Sequence, residues 1–298
     1  MEYVCKDCGR QCNALRNELG GNGYCGCGLL PTVALAKKHY GEEPCISGTN
    51  GSGTVFFSGC TLKCAFCQNY DISHKFKGKT LSFAHLAETI KALETSGVHN
   101  INLVNPTHYI YAIEQSFKIH KPQIPIVYNT GSYDSKHTIN RASEWTDIFL
   151  ADLKLYSQTR CKRYLSAANY FQFADNAIDA MLTAKPNNTY NNGIMTSGVI
   201  IRILVLPCNT DEAYKIADHI LQRWGTNLQI SLMCQYYPAG KVSDLSFPEI
   251  NRSLTNNEYQ RVCDYYISKG FSDGYFQHMD SASNAMTPDF NFEGIIYE

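Results

Sequence analysis

Short apolar runs, each followed by an amphipathic segment, recur along most of this 298-residue chain. After Ser82, for example, Phe83, Leu86 and Ile90 recur at the spacing of one helical face. Apolar runs that alternate with helices are typical of βα units around a parallel sheet covered on both faces. The sequence therefore predicts an α/β fold with six strands in a barrel or a doubly wound sheet. The six runs are 54–57, 101–104, 124–128, 148–151, 199–206 and 228–233.

The chain divides into two parts of different character. Residues 51–298 are long enough for a barrel of six βα units, which needs about 190 residues at about 30 per unit. Amphipathic stripes at 213–224 and 259–266 predict further helices, and the Asn- and Gly-rich stretch 190–198 predicts a loop. Residues 1–50 contain six cysteines and many glycines but few apolar runs. We predict that they form a small Cys-rich metal-binding N-terminal subdomain, which needs a metal to fold.

Charge and hydropathy exclude several classes of partner. Lys and Arg total 26 against 27 Asp and Glu, so no net field favours nucleic acid or an anionic membrane surface. We expect no signal peptide, because MEYVCKDCGR at the N-terminus lacks an apolar stretch. We expect no membrane span, because the strongest apolar run, 199–206, is short and interrupted by Arg202. Nine of the 13 cysteines precede residue 68, which is unlike a secreted disulfide framework. We therefore predict a cytoplasmic protein whose reduced thiols serve as ligands for iron-sulfur clusters or zinc.

Three cysteines follow the first predicted strand directly. Cys60, Cys64 and Cys67 have the spacing C-x3-C-x2-C, and parallel α/β folds place their sites at the carboxyl ends of strands. Three thiolates can hold three irons of a [4Fe-4S] cluster and leave the fourth iron open for a ligand. A structural zinc site is the alternative, but it uses four ligands and usually C-x2-C pairs. We therefore predict a [4Fe-4S] cluster on these cysteines.

The segment CTLKCAFCQN resembles the signature of the radical SAM superfamily, with Phe66 at the aromatic position before the third cysteine. The resemblance extends over most of the chain and is nearest to the activase-related relatives of pyruvate formate-lyase activating enzyme. It also rests on CQNYDIS, INLVNPTH, VYNTGSYDS, DIFLADLK, VIIRILVLP and LMCQYYP. It implies a partial (β/α)6 barrel in residues 51–298, an oxidoreductase activity, S-adenosylmethionine as cofactor and a flavodoxin- or ferredoxin-type reductant. The expected reaction is reductive cleavage to methionine and a 5′-deoxyadenosyl radical.

The resemblance also implies cofactor contacts near the second predicted strand. In the wider superfamily this strand ends in a Gly-Gly-Glu-like turn that contacts the methionine amino group. Here Asn105, Pro106, Thr107 and His108 occupy that place. We expect Phe66, together with Asn105, Thr107 and His108, to contact the cofactor. A packed or capping histidine is an equal alternative for His108.

Further contacts are implied at later strand ends. Asp152 and Lys154 form an Asp-x-Lys motif, and similar activating enzymes use this region around the methionine carboxylate, in some cases through a monovalent cation. Asn129 and Thr130 would face the same ligand. Polar residues that end a strand often only cap the next turn, and this alternative stays open. Arg202 interrupts a strand and needs an anion, which the ligand carboxylate or Asp152 would supply.

The N-terminal cysteines predict a second metal site. Four thiolates suffice for a closed tetrahedral zinc or an auxiliary [4Fe-4S] cluster. Similar sequences carry a matching C-x2-C-x-R-x-C element, which CKDCGRQC preserves. Zinc, a cluster and unliganded thiols all remain open, with Cys27 and Cys45 as alternate ligands. The four predicted ligands are Cys5, Cys8, Cys12 and Cys25.

The leading functional hypothesis is an activase-like enzyme. Its deoxyadenosyl radical would take a hydrogen atom from a protein or small molecule, with the glycine of a partner glycyl radical enzyme as one candidate. Radical modification of a small molecule or peptide is the second hypothesis, and a non-catalytic metal-binding or redox-sensing protein is the third. Ile203 and Cys208 stand where similar sequences often have His and Gly, so the role of that histidine is not transferred to this chain.

Overall fold

A computed structural model of the protein describes residues 2–18, 20–243, 246–279 and 287–297. The strands are β1 (Tyr3–Val4), β2 (Leu15–Asn17), β3 (Gly20–Gly21), β4 (Thr32–His39), β5 (Ser52–Phe57), β6 (Lys79–Thr80), β7 (Ile101–Val104), β8 (Ile126–Thr130), β9 (Ile148–Asp152), β10 (Thr189–Asn191), β11 (Ile194–Leu204), β12 (Gln229–Met233) and β13 (Gly274–Phe276). The α-helices are α1 (Pro44–Ser47), α2 (Tyr70–Ser73), α3 (Phe83–Thr95), α4 (Ile110–Phe117), α5 (Lys136–Ala142), α6 (Gln158–Leu165), α7 (Tyr170–Ala184), α8 (Thr210–Trp224) and α9 (Asn256–Ser268). Short 3-10 helices lie at Thr107–Tyr109, Gly240–Ser243 and Pro248–Ile250.

One large sheet organises the fold. Its strands follow the order β13-β12-β11-β9-β8-β7-β5-β4-β6, and neighbours from β13 to β5 run parallel. Within the described ranges no strand pairing joins β13 to β6, so the sheet stays open. An open sheet of βα units confirms the predicted α/β fold and its partial (β/α)6 barrel. The structure adds β13 at one edge and antiparallel β4 and β6 at the other.

Both faces of the parallel strands are covered, as their apolar sequences predicted. The helices pack on the outer face, where Ser82 caps α3 by accepting a hydrogen bond from the His85 N–H. On the inner face, Cys45 and Ile46 of α1 pack against Ile148 and Ile200. The helix α1 therefore covers part of the inner face of the sheet. In the described part of the chain, no helix is both long and apolar enough to cross a membrane.

The sequence prediction for residues 190–198 is wrong. These residues form a hairpin in which β10 pairs with the start of β11. Asn192 and Gly193 at its tip have φ angles of 51° and 80°. Two positive φ values in succession are typical of the tight turn that Asn-Gly forms best, so the dipeptide carried a hairpin signal beside its loop signal.

The strand β4 connects the N-terminal part to the barrel. It pairs antiparallel with β5 from Val33 to His39, whereas β1, β2 and β3 form a separate small sheet. The predicted boundary between residues 1–50 and 51–298 falls after β4, and it stays a prediction.

Candidate active site

The three cysteines after β5 open onto a single cavity. Cys60, Cys64 and Cys67 all line this cavity, which has a volume of about 230 Å³. The sulfur of Cys60 accepts a hydrogen bond from the Leu62 N–H at 3.3 Å, and the sulfur of Cys67 lies 3.1 Å from the Ser73 hydroxyl. These contacts hold two sulfurs at the cavity surface.

The environment of these thiols suits a cationic iron-sulfur centre. Burial raises the pKa of Cys60 to about 11, and the nearby Cys67 adds to the shift. Burial raises the pKa values of Cys64 and Cys67 as well. A cationic centre is therefore needed to hold them as thiolates. No group of three or more His, Cys, Asp or Glu side chains in the described ranges is close enough to hold a single ion. A cubane of four irons is larger than one ion, so three soft sulfurs around a cavity fit the group.

A network of charged side chains lies opposite the cysteines. Arg202 pairs in register with Asp152 on the neighbouring strand, so both side chains lie on the inner face. The Arg202 guanidinium donates to Asp152 at 2.8 Å, to Glu42 at 3.0 Å and to Asn129 at 2.6 Å. Lys154 donates to the other Asp152 oxygen at 2.6 Å. Burial opposes ionisation, but Arg202 and Lys154 lower the pKa of Asp152. Asp152 is thus an anionic partner of Arg202, as expected.

Glu42 is the principal residue that the sequence analysis missed. It lies between β4 and α1 and lines the cavity. One carboxylate oxygen accepts hydrogen bonds from Asn102 at 2.9 Å and from Asn129 at 3.1 Å, while the other accepts from Arg202. Glu42 therefore joins three strands of the sheet. No local pattern around it indicated this role, because its partners are 60 to 160 residues away.

Asn105 connects the second parallel strand to the cysteine loop. Its φ of 59° is a left-handed conformation that asparagine tolerates well. The side-chain amide donates to the Gly59 carbonyl at 2.9 Å, and the amide oxygen lies 3.8 Å from the sulfur of Cys60. Asn105 therefore fixes the backbone just before the first cysteine.

Six of the nine predicted cofactor contacts line the cavity and three do not. The six are Asn105, Asn129, Thr130, Asp152, Lys154 and Arg202. Phe66 is buried and packs near Tyr236, with ring centroids 6.1 Å apart. Thr107 is buried, with its hydroxyl 3.5 Å from that of Thr130. His108 is buried behind the cysteine loop. Their positions in the sequence, near the cysteines and strand ends, could not separate these three from the six that line the cavity. The local turn decides whether a side chain points into the cavity.

Other cavity residues had a weaker sequence signal. Gln68 and Asn69 follow the third cysteine, and Gln235 follows β12. The rule that sites form at strand ends applies to Gln235 as it does to Asp152. Ile203 is buried, Cys208 is exposed, and neither lines the cavity.

His108 is a packed histidine with a shifted pKa. Its Nε2 lies 2.8 Å from the Ser58 carbonyl, and its own carbonyl accepts from Arg16. Burial lowers the pKa of His108 to about 3, although the contact with Ser58 acts in the opposite direction.

Acidification is expected to destabilise the fold through His108. Between about pH 6.5 and pH 3 the unfolded chain binds a proton there that the folded chain does not. The free energy of unfolding should be unaffected above pH 6.5 and fall by up to about 1.4 kcal/mol per pH unit below it. Urea unfolding at pH 7 and pH 5 should show a smaller loss for His108→Gln than for the wild type. His137→Gln, at an exposed histidine, is the control, and equal losses in all three proteins would contradict the expectation.

Three of the four predicted N-terminal ligands lie near one another. The sulfurs of Cys12 and Cys25 are 3.3 and 3.9 Å from the position that a Cβ at Gly23 would take. Burial raises the pKa of Cys8 to about 12, with Cys25 and Cys12 adding to the shift. Cys5 instead donates a hydrogen bond from its thiol to Asp7 at 3.1 Å.

Cys25 also connects this region to the cysteine loop. Contact with the Cys27 thiol and the charge of Arg16 lower the pKa of Cys25 to about 6, although burial opposes them. Arg16 donates to the Cys25 sulfur at 3.3 Å and also to the His108 carbonyl. Cys27 is buried directly against Gly59. The two cysteine sets are therefore neighbours in the fold.

Comparisons with known proteins agree with this architecture. The family model described as the Radical SAM superfamily matches residues 54–220. A protein of Methanocaldococcus jannaschii, named only as uncharacterised, is 30% identical over an alignment of 233 residues. The match covers 75% of this chain and 63% of that protein. The chain thus spans less than two thirds of the length of this relative. SuiB of Streptococcus suis, solved bound to S-adenosylmethionine, has a TM-score of 0.51 at 12% identity, covering 75% of this chain and 49% of that chain. This likeness shows a shared fold.

Proposed function

Because the chain belongs to the radical SAM superfamily, we propose that Cys60, Cys64 and Cys67 hold a [4Fe-4S] cluster and that the protein cleaves S-adenosylmethionine. One observation carries the proposal: the three cysteines at the end of β5 share a cavity with Asp152 and Lys154. When bound, the cluster would supply the electron that releases a 5′-deoxyadenosyl radical from the sulfonium.

The protein's own residues would bind and orient S-adenosylmethionine. Lys154 is the proposed partner of the methionine carboxylate, since its ammonium lines the cavity and has donors beyond the one bound to Asp152. Asp152 and the Asn105 oxygen are the proposed acceptors for the methionine ammonium group. Arg202, already bound to three acceptors, would hold Asp152 in place.

The hydrogen donor distinguishes the finer hypotheses. We propose hydrogen abstraction as the reaction, with a flavodoxin- or ferredoxin-type protein as reductant. The glycine of a partner glycyl radical enzyme is one candidate donor, supported by the resemblance to the activase-related subfamily. A small polar molecule is the second, and the position of Thr287 and Pro288 in the cavity wall favours it.

Anaerobic reconstitution tests the reaction. The protein would be loaded with iron and sulfide, reduced with dithionite and mixed with S-adenosylmethionine. We expect 5′-deoxyadenosine to accumulate, and activity in air to be poor. Full loading with iron and sulfide but no 5′-deoxyadenosine would rule the reaction out. Binding of zinc alone would favour a metal-binding or redox-sensing protein.

We also propose that residues 1–50 form a metal-binding subdomain with its own metal. Replacing Cys60, Cys64 and Cys67 together by alanine should leave that metal in place, as about four irons per chain for a cluster or about one zinc. Zinc would require the N-terminal thiols to approach one another on binding, since they are not close enough to hold a single ion as they stand. Adding Cys25→Ala to the triple variant should remove the metal. Analysis of iron, zinc and sulfide measures the metal content of both variants. If the triple variant binds no metal, the N-terminal thiols are unliganded.

A further inference from the structure

Residues 287–297, here called the C-terminal segment, lie along the β4 edge of the open sheet. The Phe292 N–H donates to the Ala34 carbonyl at 3.1 Å, and the Ala36 N–H donates to the Glu293 carbonyl at 3.0 Å. Two backbone hydrogen bonds of this kind attach the segment to the strand in the manner of a short additional strand.

The same segment forms part of the cavity wall. Phe290 is buried and packs edge-on against Phe56 of β5, with ring centroids 5.6 Å apart. Just before it, Thr287 and Pro288 line the cavity. The Thr287 hydroxyl lies 2.9 Å from the Tyr237 hydroxyl, which follows β12 at the other side of the opening. The segment thus contacts both sides of the opening.

The chain after β13 lies on that other side. The Gln277 N–H donates to the Leu232 carbonyl of β12 at 3.1 Å. Its side chain donates to the side-chain oxygen of Gln235 at 2.9 Å, and Gln68 donates to the Gln235 carbonyl at 3.0 Å. Gln235 and Gln68 both line the cavity. Hydrogen bonds therefore attach the C-terminal segment on one side of the opening, and the residues after β13 on the other, to the edge of the cavity.

We infer that the C-terminal segment closes the open side of the sheet and restricts the site to a small polar hydrogen donor, excluding a loop of a folded protein. The inference rests on the proposed function and names its substrate class. A protein loop needs a wide lateral entrance, and Thr287 and Pro288 stand where that entrance would be.

The cavity's side chains favour an uncharged polar donor. Lys154, Asp152, Arg202 and Glu42 are bound to one another. The cavity lining also contains the amide and hydroxyl groups of Gln68, Asn69, Gln235 and Thr287. Each amide or hydroxyl can make more hydrogen bonds than the contacts given above use. Such groups bind hydroxyl, carbonyl and amide functions.

Gly294 allows a matched test. Its φ is 72°, and a Cβ there would collide with the Ala36 carbonyl oxygen, so Gly294→Ala should detach the segment. Gly97→Ala is the control, because its φ is 80° but a Cβ there meets nothing within 4 Å. Both variants carry the same backbone strain. Phe290→Ala, which removes the contact with Phe56, is a second release variant if Gly294→Ala does not fold.

The readout is the reactivity of Cys60 and Cys67 in the full chain, prepared without a cluster on the three-cysteine loop but with any N-terminal metal retained. It is measured by peptide mass spectrometry with iodoacetamide and with a dextran-linked maleimide. Hydrogen exchange of the C-terminal segment reports its release. We expect the dextran reagent to react with these cysteines at least about tenfold faster in Gly294→Ala than in the wild type or Gly97→Ala. The rates with iodoacetamide should agree within about twofold among the three proteins. Equal dextran rates despite release, or ready dextran labelling of the wild type, would overturn the inference. Because no cluster is needed, failure of the proposed reaction would leave these rates unchanged.

Discussion

Cys64→Ala is expected to abolish the formation of 5′-deoxyadenosine from S-adenosylmethionine. Cys64 is the buried member of the three cysteines, and with only two thiolates left the chain lacks the three ligands that an open-iron cubane requires. The fold should change little, since the loss of one buried sulfur costs on the order of 1 kcal/mol. Anaerobic reconstitution followed by measurement of 5′-deoxyadenosine and iron tests this.

Cys263→Ala is the matched control for that experiment. Cys263 is also buried, but it lies in α9 and outside the cavity. It should keep wild-type iron content and 5′-deoxyadenosine formation with a similar small loss of stability. Wild-type cleavage by Cys64→Ala would refute the assignment of the cluster to this loop.

Arg202→Gln is expected to destabilise the protein and to prevent binding of S-adenosylmethionine. The side chain of Arg202 is 11% exposed and pairs with both Asp152 and Glu42. Removing the cation leaves Glu42 without the cation that it binds and Asp152 with Lys154 alone. We expect a loss of about 3 kcal/mol, the lower end for a broken buried pair. Urea unfolding would measure the loss of stability, and equilibrium dialysis with S-adenosylmethionine would measure binding.

Arg163→Gln makes the same chemical change at the surface. Arg163 is 47% exposed and pairs with Glu249 at 2.8 Å, and an exposed pair contributes less than about 1 kcal/mol. A loss of stability in Arg202→Gln no larger than in Arg163→Gln would show that the buried network is not needed for the fold. Normal binding by Arg202→Gln would remove Arg202 from the proposed cofactor site.

Much of the scaffold could be predicted because it depends on local patterns. The six apolar runs correspond to β5, β7, β8, β9, β11 and β12, since burial on both faces requires consecutive apolar residues. Ser82 ends its extended segment and caps α3 through a contact three residues away. The cysteine spacing likewise defines one short loop. Each of these features is complete within about fifteen residues of sequence.

The parts that the sequence did not predict depend on contacts between distant residues. The turn at Asn192 and Gly193 was an exception, since a local hairpin signal was present there and a loop was predicted instead. Glu42 shows the general case: its partners Asn102 and Arg202 lie on β7 and β11. The pairing of the C-terminal segment with β4 is another, because backbone hydrogen bonds leave no mark in the side chains.

By itself, the sequence determined the α/β fold, the positions of six strands along the chain and the three-cysteine loop, because periodicity and spacing are local properties. Only the tertiary structure decided which side chains meet. It separated Asn105, which reaches the cavity, from His108, which is buried behind it, and it brought Glu42 and the C-terminal segment to the same cavity. The physical reason is that side-chain direction and long-range pairing depend on which distant strands and segments come together, and no short stretch of sequence carries that information.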